Sequence, residues 1–223
     1  MSLRTVFAPL LVTLTFVVGP NSYASNLGSQ LLVNGDAEAG NTSGWISTGI
    51  DAASSTDALT IGVPSGMSLG VYSFTGGTGN MTQTLSQAIS IADHAALIDS
   101  SAAVYDFSIL VQSRKLGTAL DEARGEVRFM DANGSRTGTL TFADQTVNSG
   151  VYNWDWVQMD GVVPVATRSI EVLLIATRNG GSSSDGYFDN ARLSVSAVPE
   201  PETYALMLVG LGLVGFAARR QSN

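Results

Sequence analysis

Gly125-Glu126-Val127-Arg128-Phe129-Met130-Asp131-Ala132-Asn133-Gly134-Ser135-Arg136-Thr137-Gly138-Thr139-Leu140-Thr141-Phe142 reads as two strands joined by a tight turn. Val127 and Phe129 alternate with Glu126 and Arg128, the period of two that puts one set of side chains on each face of a strand. Asp131 to Gly134 carries turn chemistry, because Asn and Gly tolerate the positive φ of a hairpin loop. The spacing predicts an antiparallel hairpin pairing Glu126 to Met130 with Arg136 to Phe142. Asp131-x-Asn133 also has the look of a calcium loop, but no Glu stands at the twelfth position and flanking helices are lacking.

Working outward, Tyr105 to Val111 and Ser169 to Ile175 show the same alternating or β-branched runs. The one helical stretch is Ile91 to Leu97, and it contains His94, the only histidine, placed by its neighbours on a surface turn. Seven or eight short strands separated by Gly/Ser/Asn turns imply an all-β, antiparallel β-sandwich. The 223-residue chain has 24 Gly, 13 % charged residues and no Cys, which excludes a disulfide scaffold and a Cys-ligated metal site. With Arg4, Arg219, Arg220, Glu200 and Glu202 set aside, residues 25–197 hold 8 Lys/Arg against 17 Asp/Glu, a net charge of −9. So acidic a domain is unsuited to nucleic acid, whose binding depends on neutralising phosphates. It suits divalent cations and neutral or basic polymers.

Both ends read as addresses. Arg4, the apolar run Thr5 to Val18 and small residues at Ser22 and Ala24 have the layout of a secretory signal peptide, residues 1–24, cut after Ala24. Near the other end an apolar run, Tyr204 to Ala218, precedes Arg219 and Arg220. This predicted transmembrane helix, 204–218, would reach only about 22 Å against a hydrocarbon core of about 30 Å. The arginines orient it with the preceding domain outside the inner membrane. Gly210-Leu211-Gly212-Leu213-Val214-Gly215 satisfies the dinucleotide fingerprint literally, but it lacks the βαβ context that gives the fingerprint its meaning.

Pro199-Glu200-Pro201, the Gly-rich apolar helix and the Arg pair together resemble the PEP-CTERM sorting signal, over residues 198–223. The resemblance implies an exosortase-type processing enzyme as partner, removal of the tail, and delivery to the cell surface or extracellular polymer. Pro199, Glu200, Pro201, Arg219 and Arg220 would then be residues acted upon.

A second resemblance spans residues 25–197. The opening Asn34-Gly35-Asp36-Ala37-Glu38 with Gly44-Trp45, and the closing Tyr187-Phe188-Asp189-Asn190, look like the galactose-binding-like jelly roll of many carbohydrate-binding modules. That family implies a structural Ca²⁺ held by Glu38 and Asp189, with Asp36 a weaker third ligand. The other reading of these carboxylates is as turn caps. The family also implies polysaccharide recognition by aromatic faces. Tyr152, Trp154 and Trp156 share one face of an extended segment, and Tyr72 is a further candidate, whereas Trp45 is expected in the core. Such a stripe is either core or ligand platform.

Enzymatic patterns are thin. No G-x-S-x-G accompanies His94. Asp121, Glu122 and Glu126 cluster as glycosidase carboxylates would, yet interleaved Arg124 and Arg128 suggest a solvated strand start after a surface loop, Lys115 to Glu122. The sequence thus points to a non-catalytic exported protein that binds polysaccharide. A structural or adhesive sandwich is the alternative, and an unrecognised hydrolase the third.

Overall fold

A computed structural model describes residues 27–54, 62–116, 119–144, 153–198 and 207–213. Among these lie eleven strands: β1 (Ile46–Ser47), β2 (Asp51–Ser54), β3 (Tyr72–Thr75), β4 (Thr82–Ser90), β5 (Ala103–Gln112), β6 (Arg114–Leu116), β7 (Ala119–Met130), β8 (Arg136–Ala143), β9 (Asp155–Val162), β10 (Ser169–Thr177) and β11 (Tyr187–Ala197). A short 3₁₀ turn, Ala92–His94, leads into α1 (Ala95–Asp99).

The strands form two antiparallel sheets, β1-β4-β10-β7 with β6 and β8 both on β7, and β2-β3-β11-β5-β9. Leaving out the short β1, β2 and β6, the first, eighth, third and sixth principal strands make one sheet and the second, seventh, fourth and fifth the other. That is the double Greek-key order of a jelly roll.

Alternation explains the sandwich. On β7 the even positions Glu122 to Arg128 are half-exposed while Ala123, Val127 and Phe129 are buried. They meet Phe107, Ile109 and Val111 of β5, Phe188 and Leu193 of β11, and Ile170, Val172 and Leu174 of β10 in one core. Tyr105 and Phe129 pack with ring centroids 5.1 Å apart, Phe107 and Phe142 5.4 Å apart. Deleting such a buried ring costs about 3–5 kcal/mol.

The β7–β8 hairpin forms as its sequence predicts. Only Gly134 takes a positive φ, however, and the Asp131 carboxylate caps the loop by accepting the Asn133 and Ser135 amides at 2.8 Å each. Gly125 is the weak point of β7. A Cβ there would lie 2.3 Å from the Leu173 carbonyl oxygen and 2.4 Å from the Phe142 ring. Gly125→Ala should therefore destabilise by about 1–3 kcal/mol. The thermal midpoint would fall by about 2–4 °C for each kcal/mol.

Three sequence expectations are corrected. The surface loop expected over Lys115 to Glu122 is paired strand at its described residues, where 114–116 and 119 onward pair as β6 and β7. Asp121 is 5 % exposed, and its carboxylate accepts the amides of Asn179, Gly180 and Asp185, so it anchors the 179–185 loop. His94 is buried, not on a surface turn. Residues 1–24, Pro199, Glu200, Pro201, Arg219 and Arg220 lie outside the described residues. Residues 207–213 are helical, and among the described residues no helix is long and apolar enough to cross a membrane.

Candidate ligand groove

The N-terminal segment reaches the site by imitating a strand. Leu31 donates its amide to the Leu193 carbonyl, and the Gln30 side chain bridges the Ala191 carbonyl and the Leu193 amide at 2.9 and 2.8 Å. Gln87 does the same from β4, holding both the amide and the carbonyl of Val33. Next, Ala191 donates to the Gly35 carbonyl at 2.8 Å. Asn34 and Ala37 take left-handed backbone, φ 51° and 59°, which folds residues 34–40 into a compact turn. The Trp45 indole N–H caps this turn at the Val33 carbonyl, and its ring packs edge-on to Phe74 in the core, where the sequence placed it.

Opposite this turn, β11 carries a bulge. Its register against β5 slips between Asp189 and Arg192, with Asn190 at φ 51°. A bulge bends a strand and re-aims side chains. Here Asp189 faces outward from its sheet, level with Leu110 and Trp156 in register, yet is only 1 % exposed because neighbouring segments cover it. The Asn190 side chain donates through Nδ2 to the Ser68 carbonyl at 2.7 Å, tying the 66–70 loop to the bulge. Glu38 accepts the amides of Val71 and Tyr72 through one oxygen, at 2.8 and 2.9 Å.

These pieces enclose a groove of about 540 Å³, a size typical of ligand sites, lined by Asp36, Glu38, Asp189, Trp156, Arg192 and the 66–70 loop. Asp189 is its unusual member. One oxygen accepts the Asn190 amide at 2.6 Å, while Oδ2 is buried without a hydrogen-bond partner. Burial raises its pKa to about 8, the Asn190 hydrogen bond opposes this, and the charges of Glu38 and Asp36 add to the rise. Buried polar atoms are nearly always satisfied, so an orphaned carboxylate oxygen signals an absent partner.

That orphan tests the Ca²⁺ expectation. Asp189, Glu38 and Asp36 line the same groove, and the charges of Glu38 and Asp36 act on Asp189. Calcium takes six to eight oxygens at 2.3–2.6 Å. Among the described residues no three acidic or histidine side chains converge on one metal position. Two carboxylates are therefore at hand for a cation, Asp189 through its partnerless Oδ2 and Glu38, whose Oε1 already accepts the Val71 and Tyr72 amides.

Of the aromatic stripe, Tyr152 lies outside the described residues. Trp154 and Trp156 do share a face, both packing with Leu69, Leu110 and Tyr187. Trp154 is 3 % exposed and so is core, not platform, because the loop bearing Val63, Met67 and Leu69 folds over it. Trp156 is half-buried with a side facing the groove. Tyr72 packs against the main core, and its ring would meet any Cβ at Gly40. Arg192, exposed at the groove's rim, was not foreseen; only the bulge brings it there.

The acidic cluster on β7 is engaged with its neighbours, Glu122 lying 3.9 Å from Arg124. Asp121 is committed to the 179–185 loop, while Glu126 pairs with Arg128 at 2.7 Å, which in turn reaches Glu171 at 2.9 Å.

Residues 197–221 match the PEP-CTERM protein-sorting motif. No curated protein matches the sequence. Similar solved structures include TmCBM61 in complex with β-1,4-galactotriose (17 % identity, 74 % of this chain and 97 % of that one, TM-score 0.46). A family 16 carbohydrate-binding module is another (20 % identity, 73 % and 98 %, TM-score 0.48). A third is the CBM22-1 xylan-binding domain from Paenibacillus barcinonensis Xyn10C (19 % identity, 79 % and 100 %, TM-score 0.42).

Proposed function

We propose that this chain is an exported, exosortase-sorted surface or extracellular-matrix protein, non-catalytic, whose sandwich (25–197) holds a polysaccharide in the Trp156 groove. Residues 1–24 direct export, and residues 198–223 anchor the protein in the inner membrane until the tail is removed. The PEP-CTERM match supports the sorting half of this reading. The observation that carries the binding half is the pairing, in one groove, of a half-exposed indole with a buried carboxylate oxygen that has no partner.

The indole face supplies an apolar surface against which the C–H face of a sugar ring stacks, while Arg192 and Asn190 offer hydrogen-bond donors to hydroxyls. Asp36 and Glu38 put negative charge in the same groove, which disfavours uronates in the cation-free protein. Ca²⁺ at Asp189 and Glu38 would neutralise that charge and fix the 34–40 turn against the bulge.

Thermal unfolding of the purified chain tests the binding half. A ligand that binds only the folded state raises the midpoint by mass action, about 2.7 kcal/mol at a hundred times its Kd. Millimolar Ca²⁺ should raise the midpoint relative to EDTA, and one neutral soluble polysaccharide of a panel should raise it further. Trp156→Ala should keep the Ca²⁺ response and lose the glycan response. If Trp156→Ala keeps the glycan response, the groove is not the binding site. Absence of any glycan response favours the structural, adhesive reading.

A further inference from the structure

The tail leaves the sandwich without a spacer. β11 remains paired with β5 through Ala197, opposite Ala103, and Val198 still donates its amide to the Ala102 carbonyl at 2.8 Å. Pro199 follows at once and has no N–H with which to continue the ladder. The sorting motif therefore begins where the folded domain ends. Eight residues separate Val198 from Met207, so at full extension the apolar helix starts no more than about 32 Å from the sandwich. Met207, Leu208, Val209, Leu211 and Leu213 on that helix are all exposed, as a segment awaiting an apolar medium would be.

The end of the sandwich held at this distance has its own character. Register places Val104 and Val162 side by side on the outward face of the sheet, and Val198 continues the outward positions of β11. Val162 and Val198 are 53 % and 40 % exposed, and Val165 in the turn beyond β9 is 53 % exposed. The next outward row holds Asp106 and Asp160, paired across the two strands and both exposed. Asp99, nearby, is already bound to Arg168. The result is an apolar tip with an acidic border.

We propose that this valine tip is the surface on which the membrane-embedded processing enzyme docks when it acts on the tail. The inference rests on the sorting half of the proposed function. The short tether brings the tip to the enzyme together with the motif. The acidic border calls for an apolar contact with a basic rim, which disfavours an anionic lipid surface and favours a protein partner. The Trp156 groove stays clear of this tip, since Trp156 and Val162 are six residues apart on β9, about 20 Å.

The test is the rate of tail removal from the full chain, followed by pulse–chase in a host carrying the processing enzyme. Val162→Glu combined with Val165→Glu should slow removal about fivefold or more, with an unchanged thermal midpoint because both sites are exposed. Gln158→Glu, outward on the same strand but away from the tip, should process at the normal rate. Inserting ten Gly/Ser residues between Val198 and Pro199 should remove the dependence on the valines, because the motif can then be reached without the sandwich meeting the enzyme. Normal processing of the double variant overturns the docking surface alone. Failure of the unaltered chain to be processed overturns the sorting reading and this one with it. If the unaltered chain floats with vesicles of anionic phospholipid in the absence of enzyme, and the double variant does not, the tip is a lipid contact and the protein-docking inference is wrong.

Discussion

Replacing Asp189 by asparagine should stabilise the cation-free protein at neutral pH and abolish the Ca²⁺ response proposed for it. The folded carboxyl titrates at about 8, and the largest cause is burial. In the unfolded chain it titrates near 3.9. Between these values the folded state holds a proton that the unfolded state has released, so stability falls as pH rises from about 4 to about 8. By pH 7 the linkage amounts to roughly three pH units, an upper bound of about 4 kcal/mol. Asparagine removes the titration and keeps an oxygen for the Asn190 amide that Asp189 now accepts. The expected gain is about 2–4 kcal/mol at pH 7 in EDTA, shrinking towards pH 4. In saturating Ca²⁺ the order reverses, because only the carboxylate is a strong calcium ligand. Midpoints of both proteins at pH 4, 6 and 8, with EDTA and with Ca²⁺, check this. A variant no more stable than the parent in EDTA, or one that still responds to Ca²⁺, removes Asp189 from the site.

How far the sequence announced this site differs from residue to residue. Period two put Trp154 and Trp156 on one face, and they are on one face. What separates their fates is the loop bearing Val63, Met67 and Leu69, about ninety positions away, which covers one indole and leaves the other at the groove. No local pattern carries that information. Asp121 was misread for a related reason. The inward positions of β7 around it are Asp121, Ala123 and Gly125, which are too small or too polar to show an apolar alternation. The outward Glu122, Arg124, Glu126 and Arg128 then dominate the pattern and suggest solvent. That Glu38 and Asp189 line one groove is implied in the sequence only through a resemblance at two short motifs. Physically, a bulge in β11 and a left-handed turn at Asn34 and Ala37 bring them together.

Gly35→Ala should accordingly damage fold and site at once. A Cβ at residue 35 would stand 2.1 Å from the Ala191 carbonyl oxygen and 3.1 Å from its carbon. Both are backbone atoms of the bulge, which is held on either side by Asp189 and Arg192 where they pair with Leu110 and Ser108 of β5, so β11 has little room to yield. The N-terminal segment must retreat instead, stretching the hydrogen bond from the Ala191 amide to the Gly35 carbonyl and loosening Gln30 from the bulge. Overpacking of this kind costs about 1–3 kcal/mol. Asp36 and Glu38 ride on the displaced segment, while Asp189 stays on β11. The carboxylates separate, and the Ca²⁺-dependent rise in midpoint should disappear. Alanine at Gly134 provides the comparison: Gly134, unlike Gly35, has a positive φ, but nothing lies within 4 Å of its Cβ position. It should cost only the strain of that backbone, about 1 kcal/mol, and leave the Ca²⁺ response whole. An equal loss of Ca²⁺ response in the two variants would mean that general destabilisation, not the seating of residues 34–38 on the bulge, governs the site.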